Sequence, residues 1–173
     1  MNSPITIQKV HSSDLDTLLT ISKETFYDAF EHLNNPEDFE AYTSVAFTAE
    51  KLLSEINNPN SAFYFALIDG EKVGYIKLNY ASEQSEFQDD NSVEVSRIYV
   101  RSDQQGKQIG KQLIDFVITK AIEAKLEYVW LGVWEHNPDA IRFYERSGFV
   151  IFSSHEFWVG NDKQTDILMR KVL

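Results

Sequence analysis

At 173 residues the chain is long enough to bury a substantial core and short enough for a single domain over 1–173. It has no cysteine, which removes disulfides and thiolate chemistry, and its formal net charge of −11 repels a phosphate backbone, so nucleic acid is not an expected partner. No apolar run approaches the ~18 residues that span a bilayer, and Met1-Asn2-Ser3-Pro4 lacks the regions of a signal peptide, so no membrane partner is expected and the cytoplasm is the expected setting.

In chain order, Ile5 to Val10 alternates apolar and polar residues and reads as an edge strand. Ser12 or Ser13 then caps a helix to about Phe30, with Leu15, Leu18, Leu19, Ser22 and Phe26 on one face. Asn35-Pro36 starts a second helix, Asn supplying the cap oxygen and Pro fitting the first helical position. A third runs from Thr48 to Ile56. Ala62 to Ile68 and Lys72 to Tyr80 flank Asp69-Gly70, a hairpin turn signal. The polar, acidic stretch Ala81 to Asn91 reads as an exposed loop. Val93, Val95, Ile98 and Val100 mark a strand whose disturbed alternation predicts a bulge. Lys107 to Lys125 carries the broadest apolar helical stripe of the chain. Tyr128 to Val133 reads as a buried strand, and Asn137-Pro138 opens a helix ended by Ser147-Gly148. Strands at about Phe149 to Phe157 and Gln164 to Val172 close the chain, giving an α/β layer architecture.

The informative stretch is Val100 to Lys111, where a strand ends, a polar glycine-containing loop follows and a long helix begins. Amides at a helix start are unpaired and sit at the positive end of its dipole, so they bind phosphate. Gly106 and Gly110 let a ligand come close to the backbone, and Lys107 or Lys111 adds charge. A Walker loop needs Ser or Thr after Gly-Lys, and Gln112 follows Gly110-Lys111. A dinucleotide fingerprint needs three glycines near the first strand, and these lie mid-chain.

Gln105-Gly106-Lys107-Gln108-Ile109-Gly110, after the strand Arg97 to Val100, resembles the Gln/Arg-x-x-Gly-x-Gly/Ala signature of the GNAT superfamily of N-acetyltransferases. Gln108 stands where the signature has a glycine. Asn137-Pro-Asp-Ala-Ile-Arg-Phe-Tyr-Glu-Arg-Ser-Gly-Phe149 resembles the second signature of the same superfamily, in the same order and spacing. The resemblance implies a mostly antiparallel mixed sheet with helices on both faces. It implies acetyl-CoA as co-substrate, with no metal. The pyrophosphate falls on Gln105, Gly106, Lys107, Gln108, Ile109, Gly110 and Lys111, and the pantetheine on Asn137 and the open edge of Ile98, Tyr99 and Val100, as in strand addition. Backbone N–H of Ile98 to Val100 is the expected oxyanion donor.

Tyr144 is the expected acid, since a phenol of pKa ~10 suits a departing thiolate of pKa ~8.5. An alkyl ammonium is only about one part in a thousand deprotonated near pH 7, so a general base or a water chain is needed. Glu94, on the strand leading into the loop, is the expected base by resemblance. His11, His32, His136 and His155 lack metal-ligand spacing and read as surface or cap residues, with His136 the one near the expected cleft. Trp134 reads as core or as a wall facing a cationic substrate.

Segments Glu24 to Phe30, Asn34 to Tyr42, Trp130 to Asn137 and Gly160 to Asp166 are similar to the PaiA-type polyamine acetyltransferases, which implies spermidine or spermine as acceptor. Spaced carboxylates and aromatic walls would hold it, with Asp28, Glu31, Glu37, Asp38, Glu83, Glu86, Tyr27 and Phe30 as candidates. A protein or antibiotic amine is the alternative acceptor, a non-catalytic acyl-CoA sensor is the alternative function, and a homodimer stays open.

Overall fold

The computed structural model describes residues 4–173; Met1 to Ser3, part of the stretch read above for a leader, lie outside the described residues. The order is β1 (Thr6–Lys9), α1 (Leu15–Phe30), α2 (Pro36–Ala46), α3 (Ala49–Asn57), β2 (Ser61–Ile68), β3 (Glu71–Tyr80), β4 (Ser92–Val100), α4 (Ile109–Glu123), β5 (Tyr128–Trp134), α5 (Pro138–Arg146), β6 (Val150–Val159) and β7 (Asp162–Val172).

Local chemistry accounts for the helix starts. The Asn35 side chain accepts from the amides of Glu37 and Asp38, Thr48 accepts from Lys51, and Asn137 accepts from Ala140. Asp69 and Gly70 both have positive φ, 50° and 82°, as a two-residue hairpin turn between β2 and β3 requires.

Seven strands form one sheet in the order β1-β2-β3-β4-β5-β7-β6, antiparallel everywhere except between β4 and β5. One face packs against α4 and α5 through Val93, Val95, Leu113, Ile114, Val117, Val129, Leu131, Tyr144 and Met169. The other face meets α1 and α3 through Leu18, Ile21, Leu52, Phe63, Phe65 and Tyr75. Phe26, Phe39, Ala46 and Phe47 then join α1 to α2. The expected bulge lies opposite Lys77 and Leu78, where Lys77 pairs with Arg97 and Leu78 with Val95, leaving Ser96 as the extra residue. Its effect is to keep Ile98 and Val100 on the α4 side while Arg97 and Tyr99 turn to the α1 side.

The stretch Ala81 to Asn91 differs from the exposed loop expected of it. Gln84 is 2% exposed; its Oε1 accepts from the Trp130 indole at 2.7 Å and the Ser92 hydroxyl at 3.0 Å, and its amide donates to the Asp89 carbonyl. Phe87 packs edge-on against Trp130 at 5.1 Å. An acidic composition hid a plug that covers the α1 face of β4 and β5.

Candidate active site

The parallel junction of β4 and β5 is short. Ser92 pairs with Tyr128, Val93 with Val129 and Glu94 with Trp130, and beyond that the strands separate. Val95 to Val100 therefore presents an open edge toward Leu131 to Trp134. This gap widens into a cleft of about 1200 Å³, roomy for one extended cofactor plus a small acceptor.

One end of the cleft is the start of α4. The first intrahelical bond runs from Gln112 N to Gln108 O, so the amides of Ile109, Gly110 and Lys111 precede the ladder and face a ligand with the positive end of the dipole. Gly106 has φ 79°, and Gln108, the residue before the helix, has φ 60° and ψ 22°. The glycine usual at the position of Gln108 thus answers a left-handed backbone. That turn also moves the helix start from the expected Lys107 to Ile109. Ile98, Tyr99, Val100, Gln105, Gly106, Gln108, Ile109, Gly110, Lys111, Asn137 and Tyr144 all line the cleft; Lys107 does not. The Lys107 ammonium donates to Gln104 at 2.8 Å and that of Lys111 to Asp115 at 2.5 Å.

Tyr144 comes from α5, 8% exposed, packed between Phe143 and Phe149. Burial pushes its phenol well above the usual range, so it stays protonated at neutral pH. Glu94 is brought elsewhere. Its carboxylate accepts from the Ser85 amide at 2.8 Å, the Ser85 hydroxyl at 2.6 Å and the Asn79 amide at 3.4 Å, all beneath the 81–91 plug. It does not line the cleft, so the geometry gives it the task of anchoring that plug rather than of meeting an amine.

The α1 side of the cleft is walled by Phe26, Phe30, Phe39, Tyr42, Trp134 and Phe157. Of the acids considered for a polycation, only Asp28 lines it, and Asp28 accepts from the Ser102 hydroxyl at 3.1 Å. Asp38 instead accepts from the Asn161 amide at 2.9 Å and ties α2 to the β6–β7 turn. The Tyr27 hydroxyl meets Thr43 at 3.1 Å, away from the cleft. Glu31, Glu37, Glu83 and Glu86 do not line it either.

Arg97 and Asp166 are charged residues of the cleft to which the sequence alone assigned no role. Arg97 pairs with Glu55 at 3.2 Å, and Glu55 also holds Lys77 at 3.1 Å. Asp166, on β7, lies beside Gly132 of β5, where an added Cβ would come within 3.4 Å of its Oδ2. Desolvation raises its carboxyl above the usual range. Behind it His155 Nε2 stands 3.6 Å away, and His155 Nδ1 is 3.1 Å from Glu86 Oε1 but out of line for a hydrogen bond. Neither His155 nor His136 lines the cleft itself; His155 is the histidine that stands behind a lining residue, Asp166. Asp166 had one sequence signal, its place in the Gly160 to Asp166 segment.

Comparison with known proteins gives the family and the fold. The family model described as "Acetyltransferase (GNAT) family" matches residues 16–149. An uncharacterized N-acetyltransferase in pepI 3'region of Lactobacillus delbrueckii subsp. lactis is 43% identical over 98% of both chains. A spermidine N(1)-acetyltransferase of Thermoplasma acidophilum is 25% identical over 96% of each. The crystal structure of PaiA N-acetyltransferase from Thermoplasma acidophilum in complex with coenzyme A superposes with a TM-score of 0.78, at 24% identity, over 98% of this chain and 99% of that one.

Proposed function

The chain belongs to the acetyltransferase (GNAT) family, and from that premise we propose that it acetylates a primary amine of a polyamine such as spermidine or spermine by direct attack, with Tyr144 as acid. Its activity is acetyl-CoA-dependent N-acetyl transfer. The co-substrate supplies the activated acyl group as a thioester.

The residues fit that co-substrate. The amides of Ile109 to Lys111 and the turn at Gly106 suit a pyrophosphate, the open edge of Ile98 to Val100 suits a pantetheine arm, and Asn137 and Tyr144 flank its path. Tyr144 gives its proton to the departing sulfur. The same burial that raises the phenol also raises a thiolate formed beside it, so the two stay matched.

The observation that carries the polyamine reading is the α1 side of the cleft, where aromatic walls surround the desolvated carboxylate of Asp166. The 25% identical spermidine acetyltransferase supports it. The absence of cysteine and the net charge of −11 fit a cytoplasmic protein of one domain, alone or as a homodimer, with no nucleic acid and no membrane partner.

One observation favours a second reading. Lys77 and Arg97 share the carboxylate of Glu55, which leaves a net cation beside the cleft. An acceptor that joins its amine to an acid group, as a peptide N-terminus can, would meet both Arg97 and Asp166. A thiol-release screen over spermidine, spermine, aminoglycosides and peptides decides between them. The polyamine reading expects kcat/KM highest for spermidine or spermine, and a peptide or aminoglycoside turned over at least tenfold better would replace it. Coenzyme binding without thiol release on any amine would leave a sensor.

A further inference from the structure

Three aspartates line the cleft, and two are taken. Asp28 accepts from Ser102, and Asp139 pairs with Arg142. Asp166 differs: its side chain is 17% exposed, among the described residues it accepts no hydrogen bond, and its one charged neighbour within 4 Å is His155 Nε2 at 3.6 Å, an ion pair only when that imidazole is protonated. A partly desolvated carboxylate on the cleft wall beside Gly132, with room left for a hydrogen-bond donor, is open to an incoming cation. Gly132 sits on β5 past the last residue paired with β4, where the gap between the strands has opened. An amine entering from the aromatic α1 side meets Asp166 as it reaches that gap.

We propose that Asp166 receives the acceptor's ammonium and takes its proton, with His155 behind it as a positioning residue. The inference rests on the reading of the acceptor as an amine. An N–H bond of the ammonium breaks, its electron pair stays on nitrogen, and the proton goes to Asp166 Oδ2. The freed pair forms the bond to the acyl carbon, the C–S bond breaks, and the sulfur takes the Tyr144 proton. The second N–H proton leaves as the amide forms and returns to Tyr144 by way of water. The net release is one proton, which Asp166 passes to solvent. His155 reaches Asp166 from β6, Glu86 stands behind His155 on the plug, and Tyr42 faces Asp166 from α2. A protonated His155 favours the ionised Asp166, and Glu86 opposes it.

The test measures kcat/KM from pH 5 to 10 with acetyl-CoA and whichever amine of the screen turns over fastest, alongside calorimetric CoA binding and the melting temperature. Asp166→Asn is expected to lose about 10²–10⁴-fold in kcat/KM at pH 7. CoA affinity should stay within twofold and melting should be no lower, since a desolvated charge has been removed. The defect should shrink toward pH 10, where the amine is already neutral. Asp166→Glu is expected to recover part of the rate. His155→Gln should move the acidic limb of the profile to higher pH, because the coulombic pull of His155 that lowers the Asp166 carboxyl is gone. Asp166→Asn within threefold of wild type at pH 7, or equally defective at every pH, would overturn the inference while leaving the transferase reading standing. A wild type that turns over a peptide but no polyamine would overturn the polyamine reading alone. A wild type that releases thiol with no amine overturns both.

Discussion

At Gln108 the usual ranking of alanine over glycine near a helix should invert. The residue holds φ 60° and ψ 22°, the left-handed region that costs an L-residue roughly 1–2 kcal/mol. Replacing it by Gly removes that cost but adds about 0.4–1 kcal/mol of unfolded-chain entropy, so the net gain is about 0.5–1 kcal/mol. Replacing it by Ala keeps the Cβ and the cost while deleting the rest of the side chain. Gln108→Gly should therefore be more stable than Gln108→Ala by about 1 kcal/mol, which is roughly 2–4 °C in melting temperature for a chain of this size. Chemical denaturation gives the free energies, and calorimetry with CoA gives affinity for each variant. With the backbone turn relaxed and no Cβ beside the phosphates, Gln108→Gly should also bind CoA several-fold more tightly than Gln108→Ala. The Gln108 side chain has contacts of its own, which is why the Ala variant rather than the wild type is the reference. If Gln108→Ala proved the more stable of the two, the left-handed turn would not be the conformation in solution, and the account of the helix start would fail.

Tyr144→Phe keeps the packing with Phe143 and Phe149, so stability should hold within about 0.5 kcal/mol while kcat drops about 10²–10⁴-fold; an unchanged thiol-release rate across pH would remove Tyr144 from the chemistry. Glu94→Gln turns one carboxylate oxygen into a donor facing Ser85, so stability should fall by about 1–3 kcal/mol in urea unfolding. The rate per folded molecule should change less than twofold; a hundredfold loss would return Glu94 to the role of base. Burial raises the phenols of Tyr42, Tyr75, Tyr99 and Tyr144, and that of Tyr80 to about 12. Each raised folded value means stability that is whole below pH 10 and lost as pH climbs above it, so melting temperature should decline from pH 10 toward 12. A melting temperature flat over that range would contradict the burial of these rings.

What the sequence made legible was whatever depends on near neighbours in the chain. Asn35-Pro36, Thr48 and Asn137-Pro138 cap helices where expected, because a cap is decided within four residues. The broken alternation of Val93, Val95, Ile98 and Val100 announced the bulge at Ser96 for the same reason. The loop residues were readable because the proposed phosphate site is a backbone feature of one strand-to-helix turn. The base was not. Glu94 and Asp166 are both strand carboxylates, and what separates them is which neighbour covers each: the 81–91 plug over one, the cleft over the other. That difference arises from β7 inserting between β5 and β6, a pairing with no local signature. The plug itself was hidden because Gln84, a polar residue, is buried by bonding the Trp130 indole.

The seam between β4 and β5 makes the sheet resemble an open book whose spine is three residues deep on each side, Ser92 to Glu94 and Tyr128 to Trp130. On one leaf β4 is held by β3, and on the other β5 is held by β7 along its whole length. The leaves are joined by backbone pairing at the spine, which Gln84 straddles by bonding both Ser92 and Trp130. A molecule lying in the gutter would lock the leaves together. Amide exchange at the spine should then slow on coenzyme binding.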